Sequence, residues 1–564
     1  MDSHKFLRSK ALNKGAHEHP NALPLSDAVP DLLSKAAPAQ DAPRPAPVDA
    51  LSSRGYPLFS QGKIEEARNC FCTALKQNSQ SIDALDGLGL CAYQQGVYEQ
   101  AVHYHQNALS IMPRSINSLY YKGRALRAQG EASQAIACYI SALRLNPHFV
   151  EAYGALANAL CALHKPREAQ RVLEVALTID DRFAGIHNTL GVVYEAEGQT
   201  ELAKQHLRRA MCLQPEFAEL YNNYGLICWK EGNFTEARRY YERTLALDRQ
   251  NVEAQWNLGI ALLLAGRYKE GWPYYELRWK RKNAPRNFPR PLWQGEALWG
   301  RRILLHAEQG LGDTLQFLRF VPLVVAAGGR VILDVPHTLG RLASQIPGLD
   351  ALTLGGGSLP EFDLHSPLMS LPRVLGITLE NLPIAVSYLE APQPARQKAA
   401  ALDWPAEGLR VGVAWMGSPR QASNQQRSIR LTELAPLLGL AGTHFFSLQL
   451  GDGVEQLADA PLPIFDLAPY TADMADTAAQ MEQLDLVITV DTAVAHMAGV
   501  LGRPVWLLLP RVPDWRWMLE RDDSPWYPSM KLFRQQKSGD WASVVDRVRD
   551  QLQKLAHQVK TPSR

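Results

Sequence analysis

The stretch from His306 to Phe317, HAEQGLGDTLQF, places an acid directly after a Gly-Leu-Gly turn that follows the apolar run Ile303-Leu304-Leu305. This order predicts a buried strand that ends at the turn and a helix that begins near Asp313. An acid at such a helix start points out of the sheet edge, where it can take a proton from a hydroxyl group. Its alternative role is to cap the helix, with Gln316 three residues on completing a capping pair.

Two other side chains of the same stretch, Glu308 and His306, are alternative bases. The turn itself consists of Gln309 and of the glycines Gly310 and Gly312. A bulkier turn would block a substrate from the acid, so the glycines are predicted to keep this edge open.

A second candidate group lies in LDLVITVDTAVAHMAGVLGRPVWLLLP, which covers residues 484–510. The run LDLVITV predicts a buried strand, and a helix is predicted to start near Asp491 and Thr492. A helix N-terminus offers unpaired N–H groups and a positive dipole end to a phosphate, and Ala493 permits close backbone approach. His496 lies one turn inside the helix. The alternative is that Asp491 only caps the helix and that His496 is a core residue.

Three further polar side chains follow predicted strands of the same region. Arg427 and Ser428 come after the WMGSP turn and can add charge-assisted hydrogen bonds to a pyrophosphate. Gln449 ends the run THFFSLQ, where it either meets a nucleotide base or binds a neighbouring loop.

The dense aromatic segment at residues 510–535 has two interpretations. Trp515, Arg516 and Trp517 either line a sugar pocket or pack two halves of the molecule together. The amphipathic stretch that follows, residues 541–558, predicts a closing helix that crosses back toward the first half.

The Gly-Leu-Gly turn does not complete a nucleotide-binding motif. Gly310 and Gly312 supply two glycines of a GxGxxG fingerprint, and Asp334 ends the next strand where a ribose-binding acid would be expected. Leu315 stands at the third glycine position, and GxxxxGK[ST] occurs nowhere in the chain. The sequence therefore disfavours a nicotinamide enzyme and a P-loop nucleotidase.

The elements that position these residues are short apolar runs separated by helix-length segments. Such runs predict parallel strands buried on both faces, and hence two doubly wound halves, residues 301–400 and 408–564, that face each other across a cleft. Residues 282–300 are predicted to be a linker, and the basic stretch 276–293 is either solvated or in contact with phosphate. The runs are RILLHAE, RVILDV and FDLHSPL in the first half, and RVGVAWMG, THFFSLQ, PIFDLA, LDLVITV and PVWLLLP in the second.

Residues 48–281 contain a repeat with a period of 34 residues. A small residue follows each repeated glycine by twelve positions, and a turn glycine lies between them. Seven consecutive units of this pattern resemble the tetratricopeptide repeat, whose stacked helix pairs form an α-solenoid with a concave groove that usually binds another protein. The repeated glycines are Gly55, Gly89, Gly123, Gly191, Gly225 and Gly259, with Ala157 in the missing slot.

Four asparagines occupy equivalent slots of this solenoid. Asn188 and Asn222 lie 34 residues apart, as do Asn223 and Asn257. Stacked side-chain amides can clamp an extended peptide because each offers a donor and an acceptor. The alternative is that they are solvated polar positions.

Composition limits the kinds of partner. The 59 basic residues nearly balance the 57 acidic ones, so no nucleic-acid partner is predicted. Apolar runs such as Val505–Leu509 are too short to span a membrane, and residues 1–47 predict a flexible Pro/Ala-rich tail without a secretory signal. All seven cysteines lie in the first half without CxxC spacing, which indicates reduced thiols and a cytoplasmic location.

The Gly-Leu-Gly-Asp edge, the RVGVAWMGSP strand and above all the segment from Asp491 to His496 resemble the two halves of a GT-B glycosyltransferase of the heptosyltransferase-like kind. That family usually has glycine where Ala493 stands. The fusion to a solenoid resembles O-GlcNAc transferase in architecture, and more closely the bacterial tetratricopeptide-repeat glycosyltransferases that modify flagellin.

The resemblance implies a metal-independent enzyme that moves a sugar from a nucleotide sugar to a protein, with flagellin as the expected acceptor. Asp313 would be the catalytic base, and the segment from Asp491 to His496 would bind the donor. No resident cofactor or metal is expected. Two other functions remain open: a transferase acting on a lipid-linked or lipopolysaccharide glycan, and a non-catalytic scaffold that uses only its repeats.

Overall fold

A computed structural model describes residues 50–281, 288–384, 386–419, 424–460 and 462–560 of the protein. The predicted tail, residues 1–47, lies outside the described residues. The chain divides into two compact units, one that ends at Ile227 and one that begins at Cys228. Within the described residues no helix is long and apolar enough to cross a membrane.

The first unit is built from helices joined in pairs by short turns. The last of them, α11, contains the boundary between the units. The helices are α1 (Ala50–Ser60), α2 (Ile64–Gln77), α3 (Ile82–Gln94), α4 (Tyr98–Ile111), α5 (Ile116–Gln129), α6 (Ala132–Leu145), α7 (Val150–Ala162), α8 (Pro166–Ile179), α9 (Ala184–Ala196), α10 (Thr200–Leu213) and α11 (Ala218–Lys230).

The repeated glycines allow the helices of a pair to approach closely. A Cβ atom at Gly55 would lie 2.6 Å from the Phe71 ring, and one at Gly123 would lie 2.6 Å from the Tyr139 ring. Both distances are too short for packed carbon atoms, so each large side chain fills the space that the glycine sixteen residues earlier leaves open. The 34-residue period therefore reflects one packing contact repeated along the unit.

The turn between the two helices of a pair requires a left-handed backbone. Gly62 and Gly130 adopt φ of 77° and 92° there, as glycine does without steric cost. His164 occupies the same slot with φ of 59°. The predicted turn positions are confirmed, with one pair that uses histidine instead of glycine.

The second unit begins with helices of the same repeat and continues into a region of parallel sheets. Its helices are α12 (Phe234–Leu247), α13 (Val252–Leu264), α14 (Tyr268–Tyr275), α15 (Arg278–Arg281), α16 (Leu311–Phe317), α17 (Val321–Ala326), α18 (Gly340–Ala343), α19 (Leu371–Val374), α20 (Gln393–Ala400), α21 (Asn424–Arg427), α22 (Ala435–Leu438), α23 (Met474–Glu482), α24 (Ala493–Val500) and α25 (Trp541–Lys560). Its strands are β1 (Arg302–His306), β2 (Arg330–Asp334), β3 (Leu349–Thr353), β4 (Leu364–Pro367), β5 (Leu409–Ala414), β6 (Thr443–Ser447), β7 (Phe465–Asp466), β8 (Leu486–Val490), β9 (Val505–Leu509) and β10 (Met530–Arg534).

The strands form two parallel sheets. The first has the order β3-β2-β1-β4 and the second the order β10-β9-β8-β5-β6-β7. Counted from its first strand, the second sheet has the 3-2-1-4-5-6 order of doubly wound dinucleotide-binding folds. The order reverses between β5 and β8, and loops after such neighbouring strands leave a crevice in which ligands bind. Residues 415–417 and Asp491 begin the two loops at this point.

Strands β3 and β10 were not predicted from the sequence. β3 is only half-buried and β10 follows a proline-rich turn, so neither gives a long apolar run.

Trp541, Val544 and Val548 of α25 join the core of the second sheet. The prediction that this helix crosses back toward the first half is therefore wrong, because its apolar stripe is buried against its own half.

The last repeat packs directly onto the sheet region. The indole of Trp272 on α14 donates a hydrogen bond of 2.8 Å to the carbonyl of Ile377. The indole of Trp526 donates one of 2.9 Å to the Tyr268 hydroxyl. The unit that contains both sheets thus starts inside the repeats, whereas the sequence suggested a boundary at the linker 282–300, of which residues 282–287 lie outside the described residues.

Candidate functional site

The carboxyl-terminal edges of the two sheets come together where helix α16 packs against helix α24. A Cβ atom at Gly312 on α16 would lie 2.7 Å from Cδ2 of His496 on α24. The predicted acid of the first sheet and the predicted donor loop of the second are therefore brought to one place. Gly312 is needed for this helix contact, and its role in keeping the turn open for a substrate stays a prediction.

Asp313 lies at the third position of α16, whose cap is Gly310. Its Oδ2 accepts a hydrogen bond of 3.0 Å from the backbone N–H of Gly310. Asp313 therefore accepts from the cap residue as the acid of a capping pair does, but glycine has no side chain to return the bond, so the predicted cap at Asp313 and its pairing with Gln316 are wrong. The side chain of Asp313 is 18% exposed, so the acid stays accessible at the edge.

The other oxygen of Asp313 is held by Arg516. The guanidinium Nη2 of Arg516 donates to Oδ1 of Asp313 at 2.5 Å, and Nη1 donates to Asp514 at 2.8 Å. Nε donates to the side-chain oxygen of Gln316 at 2.5 Å, and the guanidinium stacks on the Trp515 ring at 4.4 Å. Arg516 thus joins the segment after β9 to the helix that carries the acid.

Glu308 is bound within the fold. Nε and Nη2 of Arg278 each donate a hydrogen bond of 2.9 Å to its carboxylate, which is 6% exposed. Burial raises the pKa of Glu308, and the positive charge of Arg278 opposes that shift. The same pairing holds Arg278 in place. At this residue, the basic stretch 276–293 is therefore neither solvated nor in contact with phosphate.

His306 is 1% exposed at the end of β1. Its ring lies 4.9 Å from that of Phe288, and its Nε2 lies 3.4 Å from Nδ1 of His365. A histidine enclosed in this way packs the strand end and does not face the cleft. Of the three predicted bases, Asp313 has the exposure that proton transfer from a substrate requires.

Asp491 directly precedes the cap of helix α24, which is Thr492. The capping role suggested for Asp491 is therefore wrong, and the Thr492 side chain makes no capping hydrogen bond either. Burial and the nearby negative charge of Asp514 raise the pKa of Asp491 to about 6, against the positive charge of Arg427. This carboxyl group is close to neutral in slightly acidic solution.

His496 is buried one turn into α24. Its Nδ1 lies 2.8 Å from the Tyr527 hydroxyl. Burial, followed by the positive charges of Arg516, Arg319 and Arg427, lowers the pKa of His496 well below its ordinary value. The ring is therefore neutral at physiological pH, and it supports the helix while three guanidinium groups lie around it.

Arg427 and Ser428 both lie against Gly417 after β5. A Cβ atom at Gly417 would lie 2.6 Å from Nη2 of Arg427, and the Ser428 hydroxyl accepts a hydrogen bond of 3.2 Å from the Gly417 N–H. Ser428 also donates to Asn424 at 2.9 Å, so its hydroxyl braces the loop. The buried Nε of Arg427 has no hydrogen-bond partner among the described residues.

Gln449 supports a loop and is not free to bind a nucleotide base. Its Oε1 accepts hydrogen bonds of 3.1 Å from the N–H groups of Trp415 and Met416. Its Nε2 donates to the carbonyls of Met416 and Asp452 at 3.0 and 2.8 Å. This corrects the first interpretation of Gln449, because every hydrogen-bonding site of the amide is occupied.

Three of the four predicted asparagines are not solvated positions, and Asn223 is half-buried. Asn188, Asn222 and Asn257 are each less than a tenth exposed. Nδ2 of Asn223 donates to Oδ1 of Asn188 at 2.8 Å, so these two amides bind each other between neighbouring pairs of helices. Their clamping of a peptide stays a prediction, and for Asn188 and Asn223 it would have to break this bond.

Sequence reasoning missed Arg278 and Asp514. Arg278 pairs with Glu308, which lies far along the chain, whereas Asp514 caps the 3-10 helix Trp515–Trp517 and pairs with Arg516; neither belongs to a periodic pattern. The sequence offers one signal for Arg278. It lies within an aromatic stretch, which is expected to be buried, and a buried cation needs an acid as its partner. Among the described residues no group of three or more His, Cys, Asp or Glu side chains is arranged to hold a metal ion.

Tetratricopeptide repeat models match four stretches of the chain. They cover residues 54–110 and 225–287, residues 123–163, and residues 184–217. Protein FlbA of Caulobacter vibrioides is 28% identical over 308 residues, which are 49% of this chain and 50% of FlbA. The chain therefore spans about half the length of this curated relative.

Solved structures resemble the repeats. A thermophilic tetratricopeptide repeat protein from Thermus thermophilus is 23% identical, and the match covers 32% of this chain and 99% of that one with a TM-score of 0.31. A tetratricopeptide repeat protein from Parabacteroides merdae is 16% identical, with 41% and 93% covered and a TM-score of 0.35. The chain consists of tetratricopeptide repeats followed by a region of two parallel sheets.

Proposed function

We propose that this protein is a GT-B glycosyltransferase that moves a sugar from a nucleotide sugar to a hydroxyl group of a protein bound by the repeats. The observation that supports it best is the meeting of two sheet edges, one with the accessible acid Asp313 and the other with the N-terminus of α24. A transferase needs a proton acceptor and an anion site on opposite sides of one cleft, and these edges supply them.

The donor side is the loop crevice between β5 and β8. The diphosphate of a nucleotide sugar would lie at the N-terminus of α24, where Thr492 leaves the first N–H groups without a side-chain cap. Arg427 reaches the same crevice with a buried Nε that lacks a partner among the described residues. An oxygen-rich anion supplies the acceptors that these donors need.

The chemical step places the acceptor hydroxyl beside Asp313. Its oxygen forms a bond to the anomeric carbon of the sugar while the bond from that carbon to the diphosphate breaks. The hydroxyl proton moves to Asp313, and the nucleoside diphosphate leaves with the bonding electrons. Positive charge from Arg427 and the α24 N-terminus stabilises that leaving group.

The acceptor is proposed to be a protein because tetratricopeptide repeats bind proteins through the groove of their stacked helices. We propose flagellin as this protein and its serine or threonine hydroxyls as the modified groups. The purified chain would be incubated with flagellin and UDP-, GDP- and dTDP-linked sugars, with and without EDTA, and flagellin would be analysed by intact-mass spectrometry.

A mass increase of one sugar residue that persists in EDTA supports the proposal. If a parallel reaction shows transfer only to a lipid-linked or lipopolysaccharide glycan, the protein is a transferase for that glycan and not for a protein. No transfer and no binding of any nucleotide sugar, with retained binding of flagellin, would leave the protein as a scaffold.

A further inference from the structure

We propose that Arg516 is a switch residue that leaves Asp313 when the donor diphosphate binds, so that donor binding releases the base. The inference rests on the proposed function, because it assigns a second phosphate ligand to the same site. It also predicts an order of events, with the donor bound before the acceptor hydroxyl can lose its proton.

Both carboxylate oxygens of Asp313 already accept hydrogen bonds within the protein. Gly310 donates to Oδ2, and Arg516 donates to Oδ1 at 2.5 Å. An acceptor hydroxyl must therefore compete with a guanidinium for Oδ1. Charge-assisted hydrogen bonds of this kind are among the stronger ones in proteins, so the acid is poorly available while the pair is intact.

The position of Arg516 also supports the switch. It is 6% exposed and is held on α16 through Asp313 and Gln316, and the ring of the neighbouring Trp517 lies 5.4 Å from that of His496 on α24. The guanidinium of Arg516 therefore lies near the helix proposed to bind the diphosphate, and its positive charge, like that of Arg427, lowers the pKa of His496 there. A ligand there would meet both cations, although only Arg516 is already held by carboxylates.

Two buried hydrogen-bond donors of the site lack acceptors among the described residues. Gln316 is fully buried and accepts from Arg516 through its oxygen, but its Nε2 has no partner among the described residues. Nε of Arg427 also has none in that part of the chain. Buried donors without acceptors are rare in folded proteins, and a diphosphate carries several acceptor oxygens.

A diphosphate is also a strong competitor for Arg516. It brings more than one negative charge into a partly dry cleft and can bind a guanidinium through two oxygens, whereas Asp313 uses one oxygen. When Arg516 turns to the leaving group, it both stabilises the developing charge and frees Oδ1 of Asp313. The movement of the Arg516 side chain then prepares both the leaving group and the base for the reaction.

The test measures binding of UDP, GDP and inorganic pyrophosphate to the full chain by isothermal titration calorimetry. If Asp313 competes for Arg516, the variant Asp313→Asn should bind the diphosphate about tenfold more tightly than the wild type, since one charge-assisted bond no longer has to break. Arg516→Gln should bind it about tenfold more weakly, and the double variant should match Arg516→Gln.

The matched control is Asp473→Asn. Asp473 forms a similar pair with Arg341, at 2.7 and 2.6 Å, between the same two halves but on α18 and the start of α23. Its affinity for the diphosphate should equal that of the wild type. A general loosening of the two halves would instead tighten or weaken binding in both aspartate variants alike.

Unchanged or weaker diphosphate binding by Asp313→Asn, with normal binding by the wild type, would overturn the switch. If none of the three probes binds the wild type, the proposed donor site fails instead. Should Asp313→Asn not fold, Asp313→Ser takes its place. In the wild type, pyrophosphate should change the tryptophan emission because Arg516 leaves the Trp515 ring, and Trp515→Phe should lose that change; equal changes in both would count against the switch.

Discussion

The carboxyl-terminal edges of the two sheets use their polar groups in opposite ways. At the first edge the acids are bound by donors of the protein itself: Glu308 by Arg278, and Asp334 by the Thr353 hydroxyl at 2.7 Å and by a backbone N–H. At the second edge the buried Nε of Arg427 has no partner among the described residues, and Thr492 leaves the first N–H groups of α24 without a side-chain cap. The first edge is therefore built as a rigid support for one accessible acid, and the second as a place for an anion.

The largest expected effect tests the one accessible acid of the first edge. Asp313→Asn should lower turnover by roughly two to four orders of magnitude, because the amide keeps the hydrogen bond from Gly310 but cannot take a proton at neutral pH. The measurement is the initial rate of sugar transfer at saturating donor and acceptor, with folding checked by circular dichroism.

The control for this variant is again Asp473→Asn, which removes a paired carboxylate without touching the acid. It should keep near-normal turnover. If a folded Asp313→Asn protein transfers sugar at the wild-type rate, Asp313 is not the base. The first edge would then be entirely structural, since His306 and Glu308 are both enclosed.

The next effect concerns the rigid part of that edge. Arg278→Gln leaves Glu308 buried without its cation, and breaking a buried pair in this way costs about 3–5 kcal/mol of unfolding free energy. Urea unfolding of the full chain measures it. Arg302→Gln removes a solvent-exposed pair with Asp350 and should have a small effect by comparison.

The same ion pair predicts the behaviour of a truncated chain. A fragment that starts near residue 295 lacks Arg278 as well as the Tyr268 and Trp272 contacts, so it should unfold at lower urea concentration than one that starts near residue 228. Equal stability of the two fragments would mean that the last repeat contributes nothing to the sheet region.

A third effect tests the second edge through pH. The pKa of Asp491 rises from its ordinary 3.8 to about 6 in the folded protein, so the folded state holds a proton there between these values that the unfolded state has lost. The wild type should therefore lose up to about 3 kcal/mol of stability as pH rises from 4 to 6, and stay without it above.

Asp491→Asn has no such titration. It should be more stable than the wild type in urea at pH 8 and no more stable at pH 3.5. A stability difference that is the same at both pH values would show that the titration of this carboxyl group is not the cause.

Much of the fold followed from the sequence because its causes are local and repeated. One glycine packs against a side chain sixteen residues later in successive pairs, as Gly55 does with Phe71, and a period of this kind is visible in the sequence. Most strands were found because burial on both faces leaves an uninterrupted apolar run. β3 and β10 are as long as most of the others, but both contain exposed or half-buried positions, so they lack that mark.

The site was predicted less completely because its key contacts join distant residues. Asp313 and Asp491 were found from their places after strands, but Arg278 lies 30 positions before its partner Glu308 and in a different kind of fold element. For Gln449 the sequence left a ligand and a neighbouring loop open, because a strand end alone does not reveal which of them uses the amide; the structure shows that it is the loop. Residue type and local pattern locate an edge, and only packing decides which groups remain available there.

The smallest expected effect tests the contact between the two edges at Gly312. Ala is the better helix former, so propensity alone predicts that Gly312→Ala gains about 1 kcal/mol within α16. Its Cβ would lie 2.7 Å from Cδ2 of His496, and overpacking of this kind costs about 1–3 kcal/mol. We therefore expect a net loss of stability in urea, accompanied by weaker diphosphate binding because α24 is displaced. Gly310→Ala is the control, since its Cβ meets only Asp313 Oδ2 at 3.3 Å and φ is already −69°. A gain of stability in Gly312→Ala would mean that the two edges are not in contact through His496.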